Sequence, residues 1–253
     1  MRIRFRFSKL GKVRWTSHRD VARMWERAIR RAELPVTYTG GFTPRPKISF
    51  GLALPTGHES TGEYLDVDFD DGCPLTGSDI AGLPARLSLV LPLGVDVTAA
   101  AVVDRPGAAR PASLQSDVVS CTWEIEAVGA GPAAVSALIE RALAADALVI
   151  TRERKGAAVT EDVRPAIESL CVLGPPPCIP QGFVDHSPGA LLVAQLATQT
   201  RNLRPAELLA ALSPELTEGH VRRTHQWIMR DGARREPLPL DATDAPHVER
   251  RAS

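Results

Sequence analysis

"RIRFRF", Arg2 to Phe7, is the stretch on which the fold turns. Its strict alternation puts Ile3, Phe5 and Phe7 on one side and Arg2, Arg4 and Arg6 on the other, the pattern of a strand with one covered face. Beyond the turn "KLGK", Ser17 and Asp20 have the spacing of a helix N-cap with an acid three positions on. Val21, Met24, Trp25, Ala28, Ile29 and Ala32 then recur at helical intervals as a buried stripe, which Pro35 ends. Extended pieces at "VTYT", "KISFGLAL" and "EYLDVDF", a second short helix within "GSDIAGLPARLSLVL" and a strand at "VDVTAAAVV" complete the order βαβ(β)βαβ over residues 1–103.

"DRPGAARPASLQ", residues 104–115, has the composition of a linker, and after it the same order recurs without visible residue identity. "SDVVSCTWEIEAV" reads as a strand and "GPAAVSALIERALAAD" as a helix. "LVITRERKG" with "AVTEDVRPAIESLCVL" forms a strand pair. "GALLVAQLATQ" is a further strand, "RPAELLAALS" a helix with Pro205 in its first turn, and "HVRRTHQWIM" a last strand. The expected architecture is α+β: two tandem ferredoxin-like domains, 1–103 and 116–230, each an antiparallel sheet with helices on one face. "GPPPCIPQGFVDHSPG" is a proline-rich loop, and residues 231–253 are expected to be a disordered tail.

Among the 253 residues, 44% are hydrophobic, yet no apolar run reaches eighteen, and the N-terminus lacks a signal peptide's apolar centre. A cytoplasmic protein is expected. Cys73, Cys121, Cys171 and Cys178 show no tight spacing of the kind that holds zinc or an iron–sulfur cluster. The zero net charge conceals an asymmetry: residues 1–50 hold 13 Lys+Arg against 3 Asp+Glu, whereas residues 51–110 hold 3 against 9. Such polarity fits a footprint for a polyanion or an internal pairing of the two segments.

Both readings apply to the first strand. If helices cover Ile3, Phe5 and Phe7, the arginine face is open to phosphate, unless Asp66 and Asp68 of "EYLDVDF" pair with Arg2, Arg4 and Arg6 across the sheet. The first helix carries Arg19, Arg23, Arg27, Arg30 and Arg31 at spacings of three or four, diluted by Glu26 and Glu33. Lys9, Lys12, Arg14, Arg45 and Lys47 flank it on loops, with Trp15 and Phe42 among them, a mixture suited to phosphate contact with stacking. "GGFTPRPKISFG", Gly40 to Gly51, adds shape: Gly40 and Gly41 permit positive φ or close approach, and Pro44 and Pro46 hold Arg45 extended. The expected nucleic-acid site is therefore Lys9, Lys12, Arg14, Arg19, Arg23, Arg27, Arg30, Arg31, Gly40, Gly41, Phe42, Arg45 and Lys47. An RNA recognition motif is disfavoured, because the open-face positions of the first strand lack stacking aromatics.

"FSKLGKVRWTSHRDVARMWERAIRRAELPVTYTGGFTPRPKISFGLALPTGHES" followed by "GEYLDV" resembles the opening of the bacterial radical-SAM-linked protein family, a domain of unknown function found alone or joined to the C-terminal side of a radical S-adenosylmethionine enzyme. "EDVRPAIESL" and "LRPAELLAAL" fit the later pattern more loosely. The resemblance implies a radical SAM enzyme as partner and brings no catalytic residues. The CxxxCxxC of such enzymes is absent from the chain. The expected function is a non-catalytic RNA- or substrate-recognition partner of a radical SAM enzyme, with no cofactor or metal of its own and no membrane. Two other classes remain open. A metal-independent endoribonuclease of the tandem ferredoxin-like type would use His18 as base and Lys47 or Arg45 to stabilise charge; a protein-only scaffold would dock an acidic partner.

Overall fold

A computed structural model describes residues 1–70, 72, 75–103, 113–154, 156–175, 188–199 and 202–238. The chain is α+β and divides into two compact units, Met1–Val118 with Gln226–Ser253, and Val119–His225.

In the first unit, β1 (Arg2–Lys9) lies between β3 (Glu59–Asp68) and β4 (Val97–Val102), antiparallel to both, and the short β2 (Ile48–Phe50) pairs antiparallel with β3. The strand order is β4-β1-β3-β2, with β10 (Thr217–Arg230) also beside β3 and β11 (Ala233–Arg235) paired to β10. Helices α1 (His18–Arg31) and α2 (Gly77–Val90) pack on one face. The alternation of β1 decides which face that is: Ile3, Phe5 and Phe7 meet Val21, Trp25, Ala28 and Ile29 from α1 and Leu83 and Leu87 from α2. Trp25 sits edge-on to Phe7 at 5.1 Å and tilted to Phe5 at 5.9 Å. Burying each such side chain contributes about 1.5–3 kcal/mol, and the ring geometry adds to it.

The opposite face of β1 is closed. The register sets Arg2 against Asp68, Arg4 against Asp66 and Arg6 against Tyr64. Arg4 grips Asp66 through Nε (2.7 Å) and Nη2 (3.0 Å), both side chains buried, and Arg2 holds Asp68 at 2.6 and 3.2 Å. Arg6 donates to the Tyr64 hydroxyl (3.2 Å) and to Glu236 (3.3 Å). The pairing with Asp66 and Asp68 holds for Arg2 and Arg4, whereas Arg6 is met by Tyr64 and Glu236, and none of the three arginines is exposed.

Glu236 belongs to the segment expected as a tail. Residues 231–238 instead form the end of the β10–β11 hairpin and a strap whose Leu238 packs with Tyr64, Ala99 and Leu114. Residues 239–253 lie outside the described residues, as do 104–112 of the expected linker; the linker's last residues begin α3 (Leu114–Asp117), capped by Ser113.

In the second unit, β5 (Val118–Val128) pairs antiparallel with β9 (Gly189–Ala197), and β9 with β8 (Ile167–Gly174). With β10 on the other side of β5 the order is β10-β5-β9-β8, the positional equivalent of the first unit's order. Alternate residues Trp123, Ile125 and Ala127 of β5 and Ala190, Leu192, Ala194 and Leu196 of β9 are buried. Two helices, α4 (Pro132–Ala144) and α5 (Pro205–Leu212), bury Val135, Ile139, Leu208 and Leu209. The expected strand pair is a separate hairpin of β6 (Val149–Arg154) and β7 (Ala157–Asp162), from which β8 is distinct.

Candidate nucleic-acid interface

Helix α1 starts where the sequence places it. The Ser17 hydroxyl accepts from the Asp20 amide, and the Asp20 carboxylate accepts from the Ser17 amide and hydroxyl. The hydroxyl and amide of Ser17 hold the Asp20 carboxyl below the usual range, with Arg23 and Arg19 adding to the effect. Once the cap fixes the helix, Val21, Trp25, Ala28 and Ile29 must face the sheet. Arg19, Arg23, Arg27 and Arg30 then fall within roughly 80° of one another on the solvent side, at ~100° per residue. All four are exposed, as is Arg31. Their ion pairs are loose: Arg23 to Asp20 at 3.7 Å, both half-exposed, and Arg30 to the more covered Glu26 at 3.7 Å. Pairs of that kind contribute little and give way readily to a phosphate.

The segment Thr37–Lys47 is a hairpin rising from the end of β3. Thr37 donates to the Asp68 carbonyl (2.8 Å) and accepts from Lys47 (2.9 Å), Tyr38 bridges Pro46, and Thr39 donates to the Arg45 carbonyl (2.8 Å). At its tip Gly41 has φ +110°, with open space where a Cβ would stand, so the glycine serves conformation rather than close packing. Gly40 has no such φ. Phe42 projects fully into solvent, and Lys47 is exposed. Arg45 turns back to Glu26 (3.9 Å), the same carboxylate that meets Arg30, so the hairpin lies against the arginine face of α1.

Lys9 is a correction. It is 2% exposed, with its ammonium on the carbonyls of Arg14 (3.2 Å) and Thr16 (2.9 Å), so it holds the turn and does not face solvent. The period-two parity of β1 carried that signal, because Lys9 shares its side with Phe7. Arg14 is partly committed, 3.7 Å from Glu59 and over the Trp15 ring at 5.2 Å. Lys12 is exposed.

Trp15, expected among the flanking cations, is 65% exposed; a residue not expected near the site is Arg86 of α2, whose guanidinium reaches the Ala32 carbonyl (2.9 Å) at the end of α1. Nothing local in the sequence marks Arg86; packing of α2 beside α1 brings it there. His18 is exposed and edge-on to Phe50 at 5.1 Å, beside a cleft also lined by Lys9, Glu63 and Tyr64. Arg45 pairs with Glu26 instead, eight residues along the helix from His18, a rise of about 12 Å. Among the described residues no cluster of three or more His, Cys, Asp or Glu could hold a metal ion, and no helix is long and apolar enough to cross a membrane. Cys121 is buried and Cys171 exposed; Cys73 and Cys178 lie outside the described residues.

These observations define a class: an α+β chain that presents a basic helix and hairpin on its first unit. The chain belongs to a bacterial family, described as an uncharacterized protein conserved in bacteria (DUF2344), whose model matches residues 2–205. No curated protein matches it. Among solved structures, a chain of the "Crystal Structure of a Cbf5-Nop10-Gar1 Complex" is similar at 9% identity and a TM-score of 0.44, over 88% of this chain and 49% of that one. This chain therefore spans about half the length of that neighbour.

Proposed function

We propose that the protein is an RNA-recognition partner of a radical SAM enzyme, acting in the cytoplasm and carrying out no reaction itself. The observation that carries the RNA half is the meeting of Arg45 and Arg30 on Glu26. It sets the hairpin's cation beside the helix face of Arg19, Arg23, Arg27 and Arg30, with Phe42 exposed on the same hairpin. Phosphate contacts from such a face supply affinity without reading sequence. The partnership rests on the resemblance of Phe7–Val67 to radical-SAM-linked proteins. We also read each unit as ferredoxin-like, in keeping with the shared order of fourth, first, third and second strand.

The test is a titration of RNA binding at several salt concentrations with Arg19, Arg23 and Arg27 replaced by glutamine, which keeps helix propensity nearly constant. The slope of log K against log salt becomes shallower by roughly two to three units, at about 0.7–0.9 per phosphate contact. An unchanged slope removes the helix from the interface. RNA cleavage by the wild type that disappears in His18→Ala would replace recognition with catalysis.

A further inference from the structure

Trp15 ends a 3₁₀ turn, Gly11–Trp15, with 65% of its surface in solvent, and the fold of the first unit holds that turn closely. The buried ammonium of Lys9 binds the carbonyls of Arg14 and Thr16, the residues on either side of the indole. Gly57 donates to the same Arg14 carbonyl at 2.8 Å. Its missing side chain makes room for the ring: a Cβ there would come within 3.0 Å of Trp15 Cζ3, at a φ of +93°. The buried Glu59 accepts from Gly11 (2.7 Å), Leu10 donates to the Gly94 carbonyl (2.8 Å), and the Thr16 hydroxyl donates to Val13 (2.7 Å). The Arg14 guanidinium stands 5.2 Å from the ring centroid.

Burying a lysine charge is costly unless its protons are satisfied, and here the charge fixes a turn whose most prominent side chain faces water. An indole held this way loses little freedom on binding, which is the advantage of preorganisation. It lies four residues before Arg19, the first cation of the arginine face. An indole that remains 65% exposed with the Arg14 guanidinium over its ring suits a nucleobase whose phosphates run on to arginines. Only a base outside a duplex can offer its face to such a ring.

We propose that Trp15 is a stacking platform for an unpaired nucleobase, so that the RNA taken by this surface is single-stranded where it meets the turn. The inference rests on the RNA reading above and adds its substrate class. An acidic polypeptide would satisfy the arginines without using the indole.

The experiment measures anisotropy of a labelled single-stranded oligoribonucleotide, free and annealed to its complement, with the full-length chain, Trp15→Ala and Trp15→Phe. The wild type prefers the single strand. Trp15→Ala weakens that binding about 5- to 100-fold, changes duplex binding by less than about twofold and leaves the salt slope unaltered, because a stacking contact and no phosphate contact is lost. Trp15→Phe, which keeps a ring, recovers most of the affinity and guards against misfolding of the alanine variant. Equal binding of the single strand by wild type and Trp15→Ala, or an equal loss for both RNA forms, overturns the platform while leaving the RNA reading standing. Absence of wild-type binding to either form overturns both. If RNA fails to bind while poly-glutamate binds wild type and Trp15→Ala alike, the partner of this surface is an acidic protein and the platform is overturned.

Discussion

Two cations of β1, seven residues apart, show how far charge alone misleads. Lys9 and Arg2 are equally basic in the sequence, yet both are spent inside the fold, Lys9 on two carbonyls and Arg2 on Asp68. Strand parity set the side on which Arg2 lies and left its pairing with Asp68 as one of two alternatives, and the same parity puts Lys9 on the side of Phe7. The carbonyls that receive Lys9 could not be foreseen, because they exist only once residues 11–15 wind into a 3₁₀ turn. Asp68 is held below the usual carboxylate range by the hydrogen bond from Arg2, which outweighs the opposing effect of desolvation. A carboxyl depressed in the folded state contributes stability above its ordinary value of 3.8, and that contribution is lost as pH falls through the lower folded value. Asp68→Asn is therefore expected to lower stability by about 0.5–1 kcal/mol at neutral pH. The gap from wild type should stay level between about pH 5 and 7 and narrow below about pH 4. Urea denaturation across that range checks it, and a gap that widens in acid contradicts the assignment.

At the scale of elements, helices were the most legible parts and short strands the least. The capping residues and apolar stripe of α1 specify its start and its buried face locally, and the structure follows both. "VTYT" and "KISFGLAL" look alike as extended segments, but only Ile48–Phe50 becomes a strand; the first contributes bridges to a hairpin. What separates them is the end of β3, which has Ile48–Phe50 in register opposite Leu65–Val67 and the hairpin base at Asp68. The tip of that hairpin was readable as shape, since a glycine pair before Pro-Arg-Pro anticipates a positive φ, and Gly41 adopts one. Gly41→Val is expected to cost about 1–3 kcal/mol of local strain and to weaken RNA binding more than Arg45→Lys, which keeps the charge. Binding curves accompanied by a circular-dichroism melt check this. An affinity for Gly41→Val equal to wild type, with the protein folded, shows that the hairpin's conformation is irrelevant to recognition.

Across the whole molecule the sequence suggests two contiguous halves, but the first unit takes its last pieces from residues 226–238. Gln226 donates to the Gly62 carbonyl (2.7 Å), Glu236 meets Arg6 and Tyr64, and Leu238 is 5% exposed. Burial raises the Tyr64 hydroxyl far above its usual range, and the neighbouring Glu236 charge adds to that, so Tyr64 stays a neutral donor. No local pattern could reveal this return. "REPLPL" reads as a polar, proline-rich tail, and only the waiting arginine and tyrosine across the sheet give it a place. A chain ending at Arg235 is expected to lose about 2–4 kcal/mol, from the burial of Leu238 and the hydrogen bonds of Glu236. Denaturant unfolding should show an earlier transition, and an unchanged midpoint would mean that the strap contributes nothing.

The separation of Arg6 from Glu236 also sets an order in time. The two residues stand 230 positions apart, so at roughly 5–20 residues per second a ribosome needs on the order of ten to fifty seconds between them. Residues 119–225 are contiguous and complete while Arg6 still lacks its carboxylate. The half of the protein synthesised first is the half finished last, and through that interval a nascent chain carries an uncovered arginine on the strand around which its first unit is built.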